Sequence, residues 1–449
     1  MAGMAASAVM PPFALAQTAH PDVVVIGAGS AGIAAARRVI ASGKTVQVIE
    51  AANRIGGRAY TESDTFGVPY DQGCAWLQGP ADLPHVQAAR DLGATLHDHN
   101  TARDVFYVGD RRATYAEQSQ YDRAYARLYA ALDTDKDVSA ARLAPLNLPM
   151  DAVAQTWTGP MDFGVDLDAM STADFNAYAD YDINYLVREG LGTLVAHLGR
   201  ALPVSLNTAA TAIDWGGKGV CVETTQGTIR ASAVIVTVST GVLASGAIRF
   251  TPELPVAKSQ AISDVPMGLL TRIGLQFDGA RFGLSDSDFL TYAVPNEMPA
   301  KACYFLTFPT GHDIAVGFIG GQLGWDMAQA GEAAGIDFAL AEFIKMMGSD
   351  ARKHFIKGHM SGWANNPLTL GAYSAARPGK ADARLTLAEP LGDRVFFAGE
   401  AVAGPYIALM SGAHLSGDSV ARDVVETLGG VATCGSCDAK KRNLRKVQP

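Results

Sequence analysis

Residues 23–50 read VVVIGAGSAGIAAARRVIASGKTVQVIE: a β-branched run, three glycines, a helix-forming stretch, and a second apolar run that ends on an acid. Val23 to Ile26 contains no polar position, which is the pattern of a strand covered on both faces in a parallel sheet. Gly27, Gly29 and Gly32 then give G-x-G-x-x-G spacing. Glycines at these places let the chain turn tightly, let backbone amides and Ser30 approach a pyrophosphate, and let the next helix pack closely on the strand. That helix is expected over Ala31 to Ser42, stopped by Gly43, with its positive end toward the phosphates. Glu50, 21 residues beyond Gly29, ends the second strand where a carboxylate can accept from both ribose hydroxyls. An acid there disfavours a 2′-phosphate. The whole unit is far more specific than its glycines alone, but it does not separate NAD from FAD.

The residues that follow make that choice. NRIGGRAYT carries Gly56, Gly57 and Arg58 directly after the acid, and YDQGCAWLQGP supplies Asp71, Gly73 and Trp76. Here the sequence resembles the flavin-containing amine oxidase family, which includes monoamine, polyamine and L-amino-acid oxidases. RIGGR matches the family's R-x-G-G-R stretch at Arg54, Gly56, Gly57 and Arg58. A second glycine pair brings another loop to the dinucleotide, and Arg58 offers a forked donor to phosphate. The resemblance resumes at FFAGEAVAGPYIALMSGAHLSGDSVARDVV, which looks like the family's last FAD segment. It implies that Gly399 and Glu400 lie beside ribityl and pyrophosphate, that Met410 starts a helix aimed at the flavin pyrimidine, and that Ala210 belongs to the middle FAD segment.

Length and charge fit this reading. A chain of 449 residues exceeds one ordinary core. The expected class is α/β, a Rossmann-type FAD-binding domain with an interleaved substrate domain of antiparallel sheet and helices. FAD-binding pieces are expected at 20–92, 190–258 and 365–428, and substrate-domain pieces at 93–189 and 259–364. The first insertion, with EQSQYDRAYARLYAALDTD, leans helical. Net charge of −9 disfavours nucleic acid as a partner, and the basic end of 429–449 reads as a flexible tail. Residues 1–19 form a signal-like leader with Ala-Leu-Ala at 14–16, interrupted by Pro11 and Pro12, too short to span a membrane. It lacks a charged start, and the expectation is periplasmic, with cytoplasmic as the alternative. Of five cysteines, Cys74, Cys221 and Cys303 read as buried thiols, and Cys434 and Cys437 as a tail pair without further metal ligands. A homodimer is compatible with the sequence.

The chemistry rests on SGWANNPLTLGAYS, which resembles the family's tryptophan-to-tyrosine segment. That resemblance implies that Trp363 backs the flavin and that Tyr373 is one wall of an aromatic cage for the amine, where an electron-rich ring suits developing positive charge. Three positions depart from the pattern. Ala372 stands where some monoamine oxidases carry a flavin-linked cysteine, so FAD is expected to be non-covalent. Leu409 replaces the second cage tyrosine, leaving Tyr406 as a candidate to complete the wall. Arg272, in MGLLTRIGLQF, replaces a lysine that holds a water on the flavin; it cannot lose its proton, but its charge can stabilise reduced flavin. His312, His359 and His414 read as structural.

The expected reaction is oxidative deamination: hydride passes from the α-carbon of an amine to FAD, and the imine is hydrolysed. Oxygen or a periplasmic electron carrier would reoxidise the flavin. The main alternative is an L-amino-acid oxidase, which needs a carboxylate anchor among Arg103, Arg188 and Arg272. A flavin-dependent desaturase is the third reading.

Overall fold

The computed structural model describes residues 20–429. The expected leader, Cys434 and Cys437 lie outside them. Val23–Ile26 is the centre of a five-stranded parallel sheet in the order Val204–Ser205, Val46–Ile49, Val23–Ile26, Ala233–Val236 and Val395–Phe397. Its uniform apolar sequence has a direct cause, because both faces are covered. Val23, Val25, Val48 and Ile235 pack on Ala35, Val39, Ala421 and Val424 of two helices, Ser30–Ala41 and Met410–Thr427. Val24, Ile26, Ile49 and Val234 pack instead on Ile213, Val220 and Val222 of a four-stranded sheet. Burying each such side chain contributes about 1.5–3 kcal/mol before entropy is counted.

The first helix begins at Ser30, one residue before the expected start, and ends at Ala41 with Ser42 as cap and Gly43 at φ +74°. A Cβ at Gly32 would come within 1.9 Å of the Gly27 carbonyl oxygen, so glycine sets how closely helix and strand approach.

The substrate domain centres on a seven-stranded sheet: Phe355–Met360, Leu270–Phe277, Ile314–Gly320, Tyr304–Thr307, Asp288–Tyr292, Asp104–Val108 and Arg111–Arg112. The expectation of an antiparallel sheet needs one correction. Asp288–Tyr292 pairs parallel with Asp104–Val108, because the chain returns to this sheet from a distant insertion. The first insertion is also less helical than it reads. Besides the two strands it gives to this sheet, Leu96–Asp98 and Ile183–Val187 join Trp76–Gly79 in a three-stranded sheet.

Two helical elements of that insertion reach the cavity between the domains. Helix Tyr115–Leu132 starts on a capping box in which Thr114 Oγ1 accepts from the Glu117 amide and the Glu117 carboxylate accepts from the Thr114 amide. Helix Asp151–Thr156 runs into a π-helix, Trp157–Phe163, which contains Pro160 and ends at Gly164 with φ +67°. Widened turns of this kind re-aim side chains and leave carbonyls free. Of the three cysteines read as buried, Cys303 is fully so; Cys74 and Cys221 are partly exposed, although protein packs closely around the Cys74 thiol itself. Among the described residues no helix is long and apolar enough to cross a membrane.

Candidate active site

One cavity of about 1190 Å³ runs from the glycine turn to the inner face of the substrate sheet. At its first end Glu50 is buried, with Oε2 accepting from the Ala28 amide at 2.7 Å and Oε1 from the Ala52 amide at 2.8 Å. These bonds fix the carboxylate and leave a lone pair on each oxygen for vicinal hydroxyls. Gly29 and Gly56 meet in an isolated bridge, and Gly57 Cα lies 3.8 Å from where a Gly29 Cβ would be. Two backbones thus close on the same groove, with the Ser30 helix end aimed into it. Ser30 Oγ donates to the Met410 carbonyl at 3.1 Å, so the starts of both FAD-side helices converge here. A buried acid, two glycine turns and two helix ends fit an adenine dinucleotide.

Arg58 is more committed than the sequence suggests. Its Nη1 donates to the Ala372 carbonyl at 2.8 Å and to Glu400 Oε1 at 2.9 Å, leaving its other nitrogens for a ligand. Burial works to raise the Glu400 carboxyl, but Arg58, Arg384 and the Ser374 hydroxyl outweigh it and hold the group below its ordinary value. Arg384 continues the network, giving Nη1 to Ser374 Oγ at 2.8 Å and both Nε and Nη2 to Asp174 at 2.7 Å. One charged chain therefore joins the cofactor end, the Tyr373–Ser374 strand and the helix Thr172–Asn176.

In the middle of the cavity Trp363 is buried and donates Nε1 to the Gln72 carbonyl at 2.8 Å. A Cβ at Gly73 would meet the Arg58 carbonyl at 1.8 Å and Trp363 Cζ2 at 3.1 Å, so glycine is required where these three segments cross. Ala210, Gly399, Glu400, Leu409 and Met410 line the same space, and so does Cys74, whose thiol burial pushes up to about 12. Gly32 does not; its contact is the strand behind it.

At the far end Leu270 and Arg272 project from one strand, alternating with core-facing Ile273, and Phe318 stands opposite Arg272 in register. Arg272 is 5% exposed, its Nε has no hydrogen-bond partner, and its guanidinium lies 5.5–5.9 Å from the rings of Tyr70, Trp76 and Phe318. Trp76 Nε1 donates to His99 Nδ1 at 3.0 Å, which leaves His99 Nε2 to donate to the Ser287 carbonyl at 2.8 Å. Both ring nitrogens are thereby assigned in a neutral imidazole, and burial lowers its proton affinity further. The Tyr373 hydroxyl donates to the carbonyl of Asp162 at 3.0 Å, within the π-helix.

Several expected contributors lie elsewhere. Tyr406 does not line the cavity, so it does not complete the wall at Leu409; Tyr178, Phe163 and Trp157 supply aromatic surface instead. Arg103 is tied to Asp288, and Arg188 to the Thr310 carbonyl, leaving Arg272 alone of the three at the cavity. His312, His359 and His414 are also outside the lining, whereas His99 is inside. Asp162, His99, Tyr178, Phe289 and Phe318 were not singled out from sequence. The spacing Tyr121, Tyr125, Tyr129 in one helix signals an aromatic face, of which only Tyr129 reaches the cavity while Tyr121 packs in the core; the π-helix had no signal.

Comparison with known proteins agrees with this architecture. The family model described as flavin containing amine oxidoreductase matches residues 30–169 and 158–425. The chain is 28% identical over 440 residues to "Polyamine oxidase 4" of Oryza sativa subsp. japonica, across 89% of this chain and 88% of that one. It is 29% identical over 452 residues to "Probable polyamine oxidase 4" of Arabidopsis thaliana, across 91% and 89%. A solved structure of wild-type putrescine oxidase bound to putrescine superposes with a TM-score of 0.75 over 91% of this chain and 99% of that chain, and at 19% identity the likeness speaks for the fold. A dinucleotide cradle opening onto an aromatic chamber, on this fold and across this length of matching sequence, places the chain in the flavin containing amine oxidoreductase family, whose reaction is FAD-dependent oxidation of amines.

Proposed function

We propose that this chain holds FAD without a covalent bond and oxidises a primary or secondary amine whose nitrogen sits between Tyr373 and the π-helix. The carrying observation is the continuity of the cavity, from Glu50 and the glycine turns to a chamber that includes Tyr373, Tyr178 and the carboxyl of Asp162. FAD, once bound, supplies the hydride acceptor. Glu50 would hold its ribose, and Arg58, Gly57, Ser30 and the two helix ends its phosphates; Trp363 would back the ring. Tyr373, fixed by its bond to the Asp162 carbonyl, orients the amine by its face, and Leu409 with Phe318 keeps water from the α-carbon. Arg272 contributes a permanent positive charge without proton chemistry. No thiol stands at Ala372, and the one at Cys74 is held protonated, which supports a non-covalent cofactor. We expect denaturation to release all the flavin; colour left on the precipitated chain would refute this.

The relatives named for polyamines and putrescine put di- and polyamines first among substrates, and an acid in the chamber suits a cation. An L-amino acid is the second reading, because Arg272 alone of the three candidate arginines lines the cavity and its guanidinium is a donor for a substrate carboxylate. Export to the periplasm, read from the leader, leaves oxygen or an electron carrier as the oxidant. The test is to record the flavin spectrum anaerobically while adding aromatic amines, diamines, polyamines and L-amino acids in turn. Rapid bleaching by a non-carboxylated amine supports the first reading and bleaching by amino acids alone the second. A bound flavin that no amine bleaches would favour a desaturase.

A further inference from the structure

The π-helix puts Asp162 into the cavity on the same turn whose carbonyl receives the Tyr373 hydroxyl. Among the described residues its carboxyl has no hydrogen bond and no ion pair. The groups that feel its charge are phenolic: Tyr129, Tyr178, Tyr181 and Tyr373, which line the cavity with it, and Tyr125 behind them. Burial raises each of these phenols, and the Asp162 charge adds to the rise, so none can serve as a base near neutral pH. None carries positive charge. An unpaired acid in such surroundings is costly while ionised, unless the occupant of the cavity is a cation or gives it a proton.

We propose that Asp162 is the proton acceptor for the incoming substrate ammonium, an assignment that rests on the amine reading above. One N–H bond of the ammonium breaks and one O–H bond forms on the carboxylate, while the electron pair stays on nitrogen. A cation and an anion become a neutral amine and a neutral acid, the pair that an apolar cavity tolerates best. The nitrogen lone pair is then available at the carbon to be oxidised.

The electrostatics fit this role. Protein crowded around the Asp162 carboxyl pushes it up to about 7, a rise that solvent tempers because the residue is exposed. Asp162 lines the cavity, where a bound amine displaces part of the solvent that screens it. A carboxyl at about 7 takes a proton from an alkylammonium at about 10.4 with a smaller uphill step than an ordinary carboxyl at about 4. Burial of the ammonium by the surrounding cavity favours the same transfer.

The experiment is stopped-flow anaerobic flavin reduction between pH 5.5 and 10, using an amine that bleaches the wild-type holoenzyme, with Asp162→Asn and Asp162→Glu beside it. Flavin content and melting temperature are measured on each protein. We expect the amide variant to bind FAD normally, to lose about 100-fold in reduction rate at pH 7 under saturating amine, and to recover as pH approaches the amine's own pKa. The glutamate variant should restore the neutral-pH limb. A uniform weakening of amine binding with an unshifted pH limb would make Asp162 an anchor only and overturn the assignment. If the amide does not fold, Asp162→Ala with added formate replaces it: rescue at pH 7 supports the assignment, and its absence overturns it. A wild-type flavin that no amine reduces overturns the amine reading itself, a result distinct from an unshifted limb in an active enzyme.

Discussion

Glu50 shows how far one residue can be read. Its spacing from the glycines predicts a ribose acceptor, and the structure places its carboxylate at the cavity, pinned by the Ala28 and Ala52 amides. Glu50→Gln keeps the size of the side chain but replaces one acceptor oxygen with a donor. Charged hydrogen bonds contribute about 1.5–3 kcal/mol, so we expect FAD affinity to fall roughly ten- to hundredfold, measurable by fluorescence on dilution of the holoenzyme. Unchanged affinity would mean that Glu50 serves only its two amides. Residues whose partners lie nearby in sequence, such as Gly27, Gly29 and Glu50, were legible because a turn fixes their geometry. Arg58 was expected at the dinucleotide and lines the cavity, but it was not legible as a partner of Glu400 and Ala372, since those contacts span 342 and 314 residues. Arg103 and Arg188 could not be told from Arg272 for the same reason: strand register, absent from sequence, decides which of them faces the cavity.

At the scale of elements, close packing is the most testable feature. A methyl at Gly32 would meet the Gly27 carbonyl at 1.9 Å and Val25 Cγ1 at 3.2 Å, backbone and core that cannot swing aside. We expect Gly32→Ala to push the helix from its strand, destabilise the fold by about 1–3 kcal/mol or more, and lower flavin occupancy because the helix end moves with it. Gly43→Ala is the control: nothing lies within 4 Å, and only φ of +74° opposes it, so a loss of about 1 kcal/mol with full flavin is expected. Melting temperature and the ratio of flavin to protein absorbance separate the two, and equal flavin loss in both would refute the packing argument. The strand–glycine–helix unit was readable because its apolar runs and punctuation are local. The π-helix was not, since Trp157–Phe163 has neither a 3.6-residue stripe nor strand alternation. The parallel pairing of Asp288–Tyr292 with Asp104–Val108 depends on a return across nearly 200 residues, which no local pattern encodes.

Across the whole molecule, the cofactor cavity depends on three helices from distant parts of the chain meeting correctly, and an unusual pair sits where they meet. His85, from helix Pro84–Leu92, and His414, one turn into helix Met410–Thr427, stack edge to face with centroids 4.8 Å apart. Neither nitrogen of His85 has a hydrogen-bond partner, and Nδ1 of His414 has none. Burial lowers both, His414 to about 4, with His85 further lowered by His414 and both by Arg37, while Asp418 acts in the opposite sense on His414. In the unfolded chain each returns to about 6.5. Because the folded values are the lower ones, the unfolded chain binds more protons. The stability is fully present above about 6.5 and is lost as pH falls toward 4, on the order of 3 kcal/mol for His414. Glu400 also has a lowered folded value, but its loss begins only below the ordinary 4.5, so the window between 6.5 and 4.5 belongs to the buried histidines, this pair together with His99, which both proteins under comparison retain. Asp162 opposes them in that window, which is why the comparison must be with a variant in which Asp162 is retained. We expect wild-type urea stability to fall from pH 7.5 to pH 5 relative to a His85→Leu, His414→Leu protein, narrowing the gap between them by about 2–3 kcal/mol. Flavin should leave the wild type before global unfolding, because the protonated pair loosens the helix whose first turn, at Met410, lines the cavity. Parallel stability profiles for the two proteins would show that the imidazoles protonate as readily in the fold as in the unfolded chain, and the link between this core pair and cofactor retention would fall.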